Sequence, residues 1–245
     1  VVLSAIELDI FSKVGNGASA ASVAASLGAH ARSTEMLLNA LTAMGLLTKK
    51  NGTFYNSKIS ARYLAAGSQQ NAREGLMHAV HLWPRWSTLT DCVLRGTAVS
   101  GRDVEERSED KTRAFIAAMD RNAAERVPLV ISAAGLEGVR RMLDVGGGSG
   151  AYAIAFARAA KELQVEILDV PDVIPLTQNY IEKSGLAAQI KTRPGDLRTD
   201  SLGTGFDLVL VSAICHMLDP EENRDLIQRC YQALAPRGRL VVLPT

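Results

Sequence analysis

The residues with the plainest chemical possibilities form one turn, Asp144-Val145-Gly146-Gly147-Gly148-Ser149-Gly150. Arg141-Met142-Leu143-Asp144-Val145 reads as a strand entering it, and Ala151-Tyr152-Ala153-Ile154-Ala155-Phe156-Ala157 as a helix that Gly150 opens. Glycines at such a junction permit a tight turn and let a ligand reach the backbone. Gly146, Gly148 and Ala151 also satisfy the G-x-G-x-x-G/A pattern of a dinucleotide site. By itself the turn fits a nicotinamide cofactor nearly as well as another adenosyl ligand. The strand–helix context argues against a turn that binds nothing.

Three acids help to separate these readings. Asp144 stands just before the glycines, where a carboxylate repels a pyrophosphate but suits a ligand bearing an ammonium and a sulfonium. Asp169 ends the next apolar run, where an acid can hold both ribose hydroxyls of either cofactor. Asp196, in Pro194-Gly195-Asp196-Leu197, supplies the second acid expected on the adenine side of an adenosyl ligand. Each has an ordinary alternative as a helix cap or turn former, Asp196 above all, because Gly-Asp is common turn chemistry. All three fall at carboxyl ends of expected strands, where open α/β sheets bind ligands. Together they point to S-adenosylmethionine.

His216 follows the apolar run Phe206-Asp207-Leu208-Val209-Leu210-Val211 on the same expected edge. A hydroxyl nucleophile must lose its proton as it attacks a sulfonium methyl, and histidine, with an unperturbed pKa of ~6.5, suits that task. A histidine that merely satisfies nearby backbone is the competing reading. His78 and His81 share a helical face, but no neighbouring acid or cysteine completes a ligand set, so no metal is expected. Cys215 and His216 are adjacent and therefore point apart. Trp83 and Trp86 could line a cavity or pack in a core. Phe115 and Met119, at i and i+4, could line an acceptor pocket or a helical core.

Positioning these groups takes two kinds of structure. Residues 1 to about 135 read as helical. Val2, Ile6, Asp9 and Ile10 share a face before the turn Gly15-Asn16-Gly17. Helices follow over Ser19–Leu27 and Ser33–Met44, the second with Ser33 as a candidate cap. Leu46-Leu47-Thr48 and Thr53-Phe54-Tyr55 flank Asn51-Gly52, a strong hairpin signal, and helix–helix–hairpin is a winged-helix arrangement. From about Leu136, strands alternate with helices, as in a parallel α/β sheet. Strands are expected at 140–145, 165–169, 188–193, 206–211 and 239–243, with helices at about 150–162, 173–184 and 220–234. The last strand, Leu240-Val241-Val242-Leu243, is apolar throughout and reads as a strand from the middle of a sheet. The chain opens without Met and closes on this strand, so the natural protein is expected to continue past Thr245.

Bulk properties narrow the class. The 245 residues are 47% apolar and 22% charged, an ordinary composition for a globular chain, and the net charge of +1 favours neither nucleic acid nor an anionic membrane. No apolar run approaches a membrane span and no secretory leader pattern opens the chain. Three cysteines without a C-x-x-C motif fit a reducing cytoplasm. The candidate recognition helix of the winged-helix region has only Arg32 beside it, so a cofactor-sensing DNA-binding regulator is a weak alternative.

Leu143-Asp144-Val145-Gly146-Gly147-Gly148-Ser149-Gly150, Leu168-Asp169-Val170-Pro171-Asp172-Val173, Gly195-Asp196-Leu197 and Ile214-Cys215-His216 occur in an order and spacing that resemble the small-molecule O-methyltransferases. That family includes plant phenolic, bacterial antibiotic-tailoring and acetylserotonin members. The resemblance covers nearly the whole chain. It implies an α/β Rossmann-like domain at 136–245 whose parallel sheet is present through its fifth strand. Before it would come a mainly α winged-helix dimerisation domain at 1–100 and a helical linker at 101–135 that contributes to the substrate pocket. It implies S-adenosylmethionine held by Asp144, Gly146, Gly148, Gly150, Asp169, Val170, Asp196 and Leu197, with Ser212 where many plant members carry a lysine. It implies His216 as general base, followed here by Met217 where plant members commonly have aspartate. Trp86, Phe115 and Met119 would meet a small aromatic or polycyclic acceptor in a cytoplasmic homodimer built through the N-terminal helices. Transfer to nitrogen or carbon is the alternative.

Overall fold

The structure is a computed structural model that describes residues 1–97, 99 and 108–244. Residues 101–107 of the expected linker, and Thr245, therefore lie outside the described residues. The chain divides into two compact units, Val1–Ala118 and Met119–Thr245.

The first unit is helical around a small sheet. Helices α1 (Val2–Glu7) and α2 (Ile10–Val14) are broken at Asp9, which adopts the left-handed conformation with φ of 53°. Its carboxylate accepts from the Ser12 hydroxyl at 2.7 Å and pairs with Arg73 at 3.2 Å, which holds the break in place. Strand β1 (Ala18–Ser19) leads into α3 (Ala20–Leu27), capped by the Ser19 side chain on the Ser22 amide. Helix α4 spans Ala31–Ala43 and starts from His30 with no side-chain cap. Ser33 lies inside its first turn, so the expected Ser33 cap is incorrect: the helix begins two residues earlier than the apolar pattern suggests.

Strands β2 (Leu47–Lys50) and β3 (Thr53–Asn56) form the expected hairpin. Asn51 and Gly52 both have positive φ, 49° and 78°, the signature of a type I′ turn that matches the strands' twist. The sheet order is β1-β3-β2, all antiparallel. Ile6, Ile10, Phe11, Leu38, Leu41 and Phe54 form its buried core. Helices α5 (Lys58–Tyr63), α6 (Arg73–Trp86) and α7 (Leu89–Arg95) follow, and α8 (Glu109–Ala134) begins. Gly75 lets α6 approach α8 closely: a Cβ there would lie 3.2 Å from the Ala118 α-carbon.

The second unit is a parallel sheet. Its strands are β4 (Arg141–Val145), β5 (Gln164–Asp169), β6 (Ile190–Pro194), β7 (Phe206–Ser212) and β8 (Leu234–Leu243). Helices α9 (Ala151–Ala159), α10 (Ile174–Ser184) and α11 (Pro220–Ala233) connect them, with a short 3₁₀ turn at Cys215–Met217. The order is β6-β5-β4-β7-β8. Successive strands run outward from β4 to β6, then return to the other side of β4 with β7. The carboxyl ends of β4 and β7 thus flank a topological switch point, the place where such sheets bind ligands.

Side-chain alternation divides the core. Met142, Ile167, Leu208 and Leu210 join Ala153, Phe156 and Ala157 of α9 on one face. Leu143, Val145, Val209 and Val211 join Leu226, Cys230 and Ala233 of α11 on the other. Among the described residues β8 stands at one end of the order and pairs in parallel with β7. It also starts earlier than expected, because a register shift between Phe206 and Leu208 absorbs the turn around Arg237, whose φ is 68°.

Candidate functional site

The turn after β4 is left-handed at Gly146, Gly148 and Gly150, with φ of 67°, 58° and 76°. A side chain there costs about 1–2 kcal/mol per residue. Space is as restrictive as conformation. A Cβ on Gly146 would lie 2.5 Å from Ile214 Cδ1, and one on Gly147 would lie 2.8 Å from Ile167 Cγ2 and 2.9 Å from an Asp144 oxygen. The fold itself therefore demands these glycines, whatever binds above them. The Gly146 N–H donates to the Leu168 carbonyl at 2.7 Å, the Gly150 N–H to the Gly147 carbonyl at 2.8 Å, and Gly150 caps α9.

Asp169, at the end of β5, is tied to that turn. One carboxylate oxygen accepts from the Gly148 N–H and the other from the Val170 N–H, both at 2.8 Å. The Val170 amide thus serves the acid beside it. Thr177 of α10, fully buried, donates its hydroxyl to the Gly148 carbonyl at 2.6 Å. Sequence reasoning missed Thr177, although a threonine on the inner face of a helix that packs on a ligand-binding turn is a usable signal.

Asp144 lies beneath the turn, on the α9 face of the sheet. It is 1% exposed, and neither carboxylate oxygen has a hydrogen-bond partner. Burial raises its pKa from 3.8 to about 7, the nearby Asp169 raises it further within that total, and the Ala153 amide offsets a little although it makes no hydrogen bond of proper geometry. A second acid beside a buried one favours whatever positive charge can approach them.

After β6, Asp196 forms the turn that its neighbours suggested. It accepts from the Arg198 N–H at 2.8 Å, while its own N–H donates to Asp200 at 2.8 Å. Leu197 reaches the glycine turn, with Cδ2 3.8 Å from where a Gly146 Cβ would sit. After β7, Ser212 ends the strand half-buried and Ala213 turns the chain with φ of 53°. Ile214 then packs over Gly146, and His216 follows in the 3₁₀ turn, exposed, with no hydrogen bond to its ring among the described residues. Three loops, after β4, β6 and β7, therefore converge at Gly146. Ile214 is the second residue that sequence reasoning missed; an apolar residue next to a candidate base gives no signal of its own.

Comparison with known proteins decides what this convergence belongs to. Residues 86–245 match the family model described as the O-methyltransferase domain, and residues 1–66 match the O-methyltransferase dimerisation domain. The chain belongs to the O-methyltransferase family. It is 30% identical to a 3-hydroxy-5-methyl-1-naphthoate 3-O-methyltransferase of Streptomyces sahachiroi, over 98% of this chain and 71% of that one. It is 29% identical to an L-tyrosine C(3)-methyltransferase of Streptomyces lavendulae, over 98% of this chain and 69% of that one. The crystal structure of human N-acetylserotonin methyltransferase in complex with SAM superposes with a TM-score of 0.81 at 25% identity, over 98% of this chain and 74% of that one. The methyl donor of this O-methyltransferase is S-adenosylmethionine.

The residues present fit that donor. An unpartnered buried carboxyl at Asp144 and a second acid at Asp169 suit a ligand that carries a sulfonium and an ammonium. They would oppose a pyrophosphate.

The other expected site residues lie on helices. Trp86 ends α6 and is 53% exposed; Phe115 and the half-buried Met119 lie on α8, Phe115 meeting the edge of His78 at 5.3 Å between ring centroids. Burial and then the neighbouring His81 hold the His78 pKa below its ordinary value. Among the described residues no group of three His, Cys, Asp or Glu could hold a metal ion, and no helix is long and apolar enough to cross a membrane.

Proposed function

We propose that this O-methyltransferase transfers the methyl group to a hydroxyl oxygen of a small aromatic or polycyclic acceptor, with His216 as general base. The observation that carries the reading is the convergence at Gly146, where Ile214 anchors the His216 segment against the glycine turn. When bound, S-adenosylmethionine supplies an electrophilic methyl group on a sulfonium. Gly146, Gly148 and Gly150 let the turn receive the methionine portion closely, and Asp144 beneath it contributes negative potential. Asp169, its orientation fixed by two amides, is the acceptor for the ribose hydroxyls, with Val170 alongside. Asp196 and Leu197 frame the adenine, and Ser212 borders the cofactor from the end of β7. His216 is exposed and would take the acceptor's proton at a ring nitrogen as the oxygen–carbon bond forms and the methyl's bond to sulfur breaks, the thioether S-adenosylhomocysteine leaving with that electron pair.

A general base contributes about 10²–10⁴-fold, with positioning of the reactants supplying much of the rest. His216→Ala is therefore expected to lower turnover within that range while S-adenosylhomocysteine still binds in calorimetry. Near-wild-type turnover would remove the base role. The similarity to a protein named for methylation at a tyrosine ring carbon favours one second reading, transfer to carbon, with the same deprotonation enriching the ring. NMR of the methylated product separates the two. Residues 1–66 pair two copies as a homodimer, in line with their match to the dimerisation domain; a monomer in light scattering would contradict this. The free thiols of Cys92, Cys215 and Cys230 suit a reducing cytoplasm as the place of action.

A further inference from the structure

The segment after β6 carries Asp196 and Leu197, and packing alone does not set its position. A cavity of about 290 Å³ lies between it and α11, lined by Leu197, Arg198, Leu218, Glu222, Leu226 and Arg229 among others. Across that space the ties are polar. One terminal nitrogen of Arg229 donates to the Leu197 carbonyl at 2.5 Å and the other to the Asp200 carbonyl at 3.2 Å. Its Nε donates to Asp225, one turn back on α11, at 2.7 Å. A second tie, Arg198 to Glu222 at 3.2 Å, joins groups that are 51% and 40% exposed, and an ion pair of that kind contributes little. Arg229 is only 21% exposed, and its planar fork holds two carbonyls in one geometry, which a lysine cannot do.

We propose that Arg229 is a positioning residue for S-adenosylmethionine: by gripping the Leu197 and Asp200 carbonyls from α11, it fixes the segment that reads the adenine end of the ligand. This rests on the assignment of Asp196 and Leu197 to the adenine. Arg229 acts through the segment and does not itself touch the ligand. Without the fork, the two carbonyls turn to water in the cavity. Asp196 then loses its fixed placement against the adenine amine, while the glycine turn and Asp169 keep theirs.

The test is calorimetry on the full chain with two probes. One is S-adenosylhomocysteine. The other is S-inosylhomocysteine, whose ring carries an oxygen in place of the adenine amine. The wild type is expected to prefer the first. Arg229→Met is expected to bind S-adenosylhomocysteine about 10-fold or more weakly, the order set by losing hydrogen bonds from a charged donor. It is also expected to lose most of the preference between the probes. Arg229→Lys should fall between the two, and serves as the test if Arg229→Met fails to fold. Asp225→Asn, which leaves both carbonyl bonds in place, should behave as wild type. Unchanged affinity in the Arg229 variants overturns the proposal, and so does an equal loss for both probes that leaves the preference intact. Asp196→Ala distinguishes the deeper failure. If that variant keeps both affinity and preference, the adenine assignment is wrong and the proposal falls with it. If Asp196→Ala loses the preference while the Arg229 variants are silent, only the role of Arg229 is refuted.

Discussion

Replacing Asp144 with asparagine tests the electrostatics beneath the glycine turn. The side chain is 1% exposed, without a hydrogen-bond partner, and its pKa stands at about 7 against an ordinary 3.8. At ~1.36 kcal/mol per pH unit, that displacement corresponds to about 4 kcal/mol. The folded protein holds this proton more tightly than the unfolded chain does. Between about pH 4 and pH 7 the folded state therefore carries the extra proton, and stability falls as pH rises through that window. Above it, both states are ionised and the full penalty of a buried charge beside Asp169 remains. An asparagine in this place has the same shape and no charge at any pH. In urea denaturation of the ligand-free proteins, the advantage of Asp144→Asn over wild type should grow by about 3 kcal/mol between ~pH 5 and ~pH 8.5, the rest of the roughly 4 kcal/mol being lost below ~pH 5. The difference between the two curves isolates Asp144 from groups that titrate in both. A flat difference across that range would refute a raised pKa at this position.

Two further substitutions probe the turn. Gly146→Ala combines a left-handed φ of 67° with a Cβ 2.5 Å from Ile214 Cδ1, and should cost roughly 2–4 kcal/mol in denaturation and weaken S-adenosylhomocysteine binding. Adding Ile214→Ala should restore the packing part and not the backbone part; strictly additive losses in this double-mutant cycle would deny the contact. Asp169→Asn places an amide NH₂ against the N–H of Gly148 or Val170, each of which now donates to the carboxylate at 2.8 Å. Loss of one charge-assisted bond is expected to cost about 1.5–3 kcal/mol of stability in denaturation, together with ligand affinity in calorimetry. Wild-type values in both would remove Asp169 from the site.

Much of this arrangement was legible where local chemistry decides structure. Asn51-Gly52 announced the hairpin because few dipeptides accept two positive φ values. The strands around Val145, Asp169 and Val211 were legible because a parallel sheet buried on both faces demands apolar runs. What stayed hidden was set by tertiary context. Asp144 reads as a group at the ligand's edge, yet the alternation of β4 sends it with Met142 to the α9 face, under the turn. Ala213 takes a left-handed turn that no alanine signals, and that turn is what carries Ile214 over Gly146. The Arg229 fork joins residues 29 and 32 apart in sequence, where charge patterning on one helix is silent.

The sheet order has a consequence for how the chain emerges during synthesis. Strand β4 is central, yet it meets β5 early and β7 only after roughly sixty more residues. At ribosomal rates of 5–20 residues per second, one hydrogen-bonding edge of β4 waits about 3–12 s for its partner. That edge runs along Met142-Leu143-Asp144-Val145, every residue of which is buried in the finished fold. For those seconds it is an open template for any other strand, and the charge of Asp144, costly once enclosed, is the one feature of the edge that discourages a wrong partner.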